Sequence, residues 1–138
     1  MNVNTNMTGT DNRTVLTVMR ILSAIVLVAV GGIHLFLVFD GVGGVLGVLF
    51  VLNAIAGVAL AIGMLVLRGR LLVITGILSV LFVLATLVAL LLALTVGLFG
   101  ITETWSFTLV PESVIIESIG VVVLSIATLV ALRTPRTA

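Results

Sequence analysis

The chain has 138 residues, of which 62% are hydrophobic and 8% charged, with a mean hydropathy of +1.52. A water-soluble domain of this size has too little interior for that much apolar surface, so most of these side chains need lipid around them. The absence of cysteine excludes disulfides and thiolate metal sites, and the six basic residues, all arginine, are too dispersed for a nucleic-acid footprint.

Residues 1–13 are rich in Asn and Thr and predict a flexible polar tail. The first predicted span covers residues 14–39, and between Ile21 and Phe39 its only ionisable side chain is His34. The apolar region of a cleaved signal peptide runs to only ~7–15 residues, so this segment reads as a retained span. Asp40 to Gly44 then predict a tight turn, with glycines available for positive φ. The second span is expected over 45–67, followed by the short turn Arg68-Gly69-Arg70 and a third span over 71–98. The uncharged run Leu71 to Thr102 is too short for two crossings of ~20 residues each. Phe99 to Val110 form the one substantial loop. Trp105, Phe107 and Leu109 alternate there with polar residues, as a strip in the headgroup layer would. Pro111 and Glu112 suit a helix start, and the fourth span, over 111–132, ends at Arg133, leaving residues 133–138 as a second tail.

Charge then predicts topology. Arg13, Arg20, Arg68, Arg70, Arg133 and Arg136 all flank one side under alternating crossings, while Asp40 and Glu103 fall on the other. By the positive-inside rule both termini and the middle turn are cytoplasmic. The expected fold is therefore an all-α, four-transmembrane-helix antiparallel bundle, N-in/C-in, in the cell membrane. Its one domain, 14–132, lies between two cytoplasmic tails.

Helices in lipid associate through small residues that allow close approach. Each predicted span carries one such stripe: Ser23, Leu27, Gly31 and His34 on the first; Gly47, Phe50, Ala54, Gly57 and Ala61 on the second; Gly76, Ser79, Val83, Thr86, Leu90, Ala93 and Gly97 on the third; Glu117, Gly120, Leu124, Ala127 and Ala131 on the fourth. The stripes are expected to meet inside the bundle.

Few residues can carry chemistry. His34 lies six positions before Asp40 and Glu117 six after Pro111, which puts both ~9 Å below the outer surface at the helical rise. Asn53 on the second span and Thr95 on the third fall near the same level. Ionisable groups inside a span are costly and mark functional sites. His34, Asn53 and Glu117 are thus candidates for a small-ligand, proton or ion site, with haem or quinone as its coloured versions. The competing reading is structural, with His34 and Glu117 bonded to each other or reaching to the interface to lock the helices. Glu103, Trp105 and Glu112 read as interfacial groups. One histidine without cysteine does not make a metal site, and no catalytic constellation can be assembled. No cofactor and no enzymatic activity are indicated.

The stretches Gly32-Ile33-His34-Leu35, Leu49 to Ala54 (LFVLNA) and Gly97 to Glu103 (GLFGITE) resemble small four-helix membrane proteins of high-GC bacteria and archaea, a group without an assigned activity. The resemblance implies four spans and singles out His34, Asn53 and Glu103. Small multidrug exporters share the size and helix count, but their first-span Glu has no counterpart here, so an exporter is disfavoured. The leading expectation is a non-enzymatic accessory subunit of a membrane assembly, or a homo-oligomer, with lipid and a second membrane protein as partners. The alternative is the outward-facing site between His34, Asn53 and Glu117.

Overall fold

The computed structural model describes residues 4–135; Arg136, one of the basic flanks, lies outside them. The described residues contain four helices and no strand: α1 (Asn4–Phe39), α2 (Gly44–Val66), α3 (Gly69–Thr95) and α4 (Val110–Arg133). Each is long and apolar enough to cross a membrane. Most large side chains on the outer faces are exposed Val, Leu and Ile, the composition that lipid-facing surfaces need.

Two ends differ from expectation. Helix α1 starts at Asn4, ahead of the predicted start at Thr14, so residues 4–13, expected as part of a flexible tail, continue the helix. Once an apolar helix is nucleated, adding polar turns costs little, and the Thr14 and Thr17 hydroxyls bond back to the carbonyls of Thr10 and Arg13. Helix α3 stops at Thr95, short of 98. There Gly97 takes φ +86 and its N–H, like that of Val96, bonds to the Leu92 carbonyl. The Glu103 N–H turns back to bond the Ala93 carbonyl at 2.9 Å. The chain thus satisfies the end of α3 from its own loop, as an apolar helix end requires. The predicted boundaries of α2 and α4 hold to within a residue.

The loop is not the regular alternating strip that Trp105, Phe107 and Leu109 suggest. Leu98 and Ile101 exchange two backbone hydrogen bonds around Phe99 and Gly100, both at positive φ, which makes a hairpin turn of the type I′ kind. Two further turns follow, closed by Phe107 N–H to Thr104 O and Val110 N–H to Phe107 O. Leu109 sits at φ +62 as the N-cap of α4. Trp105 is exposed.

Helix α1 packs against α2 and α4, and α3 packs against α4, while α2 and α3 touch more sparingly. The small-residue stripes make these contacts. A Cβ on Gly57 would come within 2.8 Å of the Leu27 carbonyl oxygen, and one on Gly31 within 3.2 Å of Ala54 backbone. Gly76 faces Thr128 and Gly120 faces Val26 and Val83 in the same close way. Leu27, Val83 and Leu124 are fully buried where α1, α3 and α4 converge.

One polar contact fixes α1 to the far end of α2. The Arg20 guanidinium donates to the carbonyls of Met64 (2.6 Å), Leu65 (2.7 Å) and Leu67 (2.8 Å). These are carbonyls at a helix C-terminus, which lack partners within the helix and carry the negative end of its dipole. The Arg20 level of α1 therefore lies beside the α2–α3 turn that carries Arg68 and Arg70.

Candidate functional site

Helices α2 and α3 meet beside their connecting turn, where Gly63 lies against Thr75, and leave a cavity of about 310 Å³ at the opposite end of the bundle. All four helices and the 96–109 loop line it. Its walls are mostly Leu, Phe, Val and Ala. Among them stand His34 from α1, Asn53 from α2, Thr86 from α3, Glu117 and Ser113 from α4, and Glu103 from the loop.

Three of the polar wall residues bond to backbone carbonyls of their own helix or its cap. His34 Nδ1 lies 2.8 Å from the Val30 carbonyl oxygen. A carbonyl only accepts, so Nδ1 carries the proton, and in the neutral ring Nε2 is left as an acceptor. The imidazole is held in place by an edge-to-face contact with Phe50, ring centroids 4.8 Å apart. Ser113 donates its hydroxyl proton to Leu109 O at 2.7 Å. The Thr86 hydroxyl neighbours the Glu117 carboxyl, but its one proton goes to Val83 O at 2.8 Å.

Two side-chain oxygens on these walls are different. Asn53 Oδ1 and Glu117 Oε2 are buried and have no hydrogen-bond partner. Glu117 as a whole is only 1% exposed. A buried polar atom without a partner costs on the order of 1–3 kcal/mol, and more for a charged group. Both belong to residues that line one cavity.

The three residues that helical depth brought together in the sequence, His34, Asn53 and Glu117, do line one cavity. His34 and Glu117 make no hydrogen bond with each other, so the direct lock between them is not present. Thr95 is exposed and back-bonded to Leu91 O, outside the cavity. Thr86, read in the sequence as a packing residue, takes the polar place on α3. Glu103, read as interfacial, is half-buried at the loop and lines the cavity, whereas Trp105 and Glu112 are exposed and do not. Ser113 carried no sequence signal, and Phe107 and Thr108, expected in the interfacial strip, join the wall because the loop folds back.

No family model matches the chain, and no curated protein or solved structure matches it.

Proposed function

We propose that this chain is a small, non-enzymatic, multi-pass membrane protein that binds a small amphipathic molecule in the outward-facing end of an antiparallel four-helix bundle. The observation that carries this reading is the pair of buried, unpartnered oxygens, Asn53 Oδ1 and Glu117 Oε2, on the walls of one mostly apolar cavity. Such a mixture of apolar wall and a few placed polar groups is what small-molecule sites have in common, and about 310 Å³ lies at the lower end of their size.

The orientation rests on charge. Arg20 reaches the α2–α3 turn, so Arg20, Arg68 and Arg70 gather at one end, and the cavity lies at the other with Glu103. The positive-inside rule assigns the arginine end to the cytoplasm and the cavity to the outer half of the cell membrane, with both termini inside. Binding is favoured over catalysis because the hydroxyls of Ser113 and Thr86 donate to their own helix backbones, which does not prepare either as a nucleophile. The small-residue stripes pack inside the chain's own bundle, so by themselves they do not argue for an assembly subunit or a homo-oligomer.

Filling the cavity tests this. Ala89 lines it and is half-buried, so Ala89→Phe is expected to occupy the space while changing folding stability by no more than about 1–2 kcal/mol. Native mass spectrometry of protein extracted in mild detergent is expected to find a small molecule on the wild type and none on the variant. A wild type that is empty, with a variant that is simply more stable, would show the cavity to be a packing defect.

A further inference from the structure

Resting on the binding reading above, we infer that the cavity selects the ammonium headgroup of a single-tailed amphipathic amine. The inference comes from a census of what the walls can donate and accept. The charged side chains on the walls are Glu103 and Glu117, and no arginine lines the cavity. His34 Nε2, Asn53 Oδ1, Glu117 Oε2 and the Thr86 oxygen are all acceptors. The protons of Thr86 and Ser113 are already given to Val83 and Leu109 carbonyls, and that of His34 Nδ1 to Val30. With both carboxyls ionised, the side-chain donors left on the walls are the Asn53 amide and the hydroxyl of Thr108, an exposed residue of the loop.

A wall rich in acceptors and poor in donors discriminates sharply among headgroups. A carboxylate ligand brings only acceptors and meets two carboxyl groups of the protein. An alcohol brings one proton. A primary ammonium brings three N–H donors, no acceptor and a positive charge opposite Glu117. The phenyl rings of Phe50, Phe82, Phe99 and Phe107 add faces to which a cation is attracted. Leu46 and Leu49 on α2 and Ala85, Ala89 and Leu90 on α3 add an apolar wall that suits a short alkyl tail. A phospholipid with an ethanolamine headgroup carries the same ammonium, but it also brings a phosphate anion toward Glu103 and Glu117, and two long tails.

The test uses four probes on the purified full chain in a neutral maltoside detergent: decylamine, decanol, decanoate and a dioleoyl phosphatidylethanolamine. Binding is read as the concentration-dependent shift in thermal unfolding. Decylamine is expected to stabilise the protein most and decanol less, with decanoate and the phospholipid giving no shift. Glu117→Gln, which keeps size and shape, is expected to weaken decylamine about tenfold or more while changing decanol by no more than about twofold. Asn53→Ala is expected to weaken decylamine in the same direction and serves as the second, independent variant. Equal stabilisation by decanoate or by the phospholipid, or unaltered decylamine binding in both variants, would overturn the selectivity and leave the amphipath site standing. No shift with any probe would remove both.

Discussion

Replacing Gly57 by Ala is expected to destabilise the bundle by about 2 kcal/mol, because an added methyl has no room to enter a backbone contact. The new Cβ would sit 2.8 Å from the Leu27 carbonyl oxygen and 3.4 Å from Gly31 Cα. Both neighbours are main chain, so neither can rotate away, and α1 and α2 have to separate. Separation also weakens the adjoining contact of Gly31 with Ala54. Gly57→Val is expected to cost more, since its branch adds bulk at the same point. Gly32 provides the control: a Cβ added there would meet nothing within 4 Å. Gly32→Ala is therefore expected to be neutral or stabilising by up to about 1 kcal/mol through helix propensity. Reversible unfolding in mixed detergent, followed by helical circular dichroism, measures all three.

Arg20→Ala is the second large effect, expected at about 3 kcal/mol, from three charge-assisted hydrogen bonds lost together, less what interfacial water restores. The three carbonyls at Met64, Leu65 and Leu67 lose their donor in one step, and α2 loses the positive charge at its negative end. Arg20→Lys is expected to recover less than half of the loss. An ammonium is a point charge on a flexible stem and does not reproduce the planar fork that reaches three oxygens. Hydrogen exchange of the last turn of α2 is expected to rise in Arg20→Ala and to stay unchanged around Gly31 and Gly57. A variant that exchanges uniformly along α2 would show that Arg20 supports the whole interface rather than the helix end.

Much of this arrangement is legible in the sequence. Four long apolar runs, bounded by Arg, Asp, Gly and Pro, give four helices, because a backbone in lipid has no alternative to internal hydrogen bonding. The convergence of His34, Asn53 and Glu117 is legible because depth along a helix is a simple count at a fixed rise. Thr86 and Thr95 show where that count stops working. Both hydroxyls bond to their own helix, and only the rotation of α3 about its axis decides that Thr86 lines the cavity and Thr95 does not. The Arg20 clamp was hidden for a different reason. In sequence Arg20 is one more basic flank, and its acceptors are backbone carbonyls 44 to 47 positions away, which leave no side-chain signature. The loop was the least legible element. Its closure over the cavity depends on the Phe99–Gly100 turn and on one backbone bond from Glu103 to Ala93, neither of which periodicity reveals.

The absence of native cysteine allows the most direct measurement, substituted-cysteine accessibility in intact cells. Asn53 lines the cavity, and Ile55, two residues along α2, is 61% exposed on the outer surface of the bundle, outside the cavity lining. A small, charged methanethiosulfonate reagent that does not cross the bilayer is added from outside. Asn53→Cys is expected to react, while Ile55→Cys in lipid stays protected and Arg70→Cys reacts only after lysis. Protection of Asn53→Cys from outside, together with reaction of Arg70→Cys in intact cells, would contradict an outward-opening cavity.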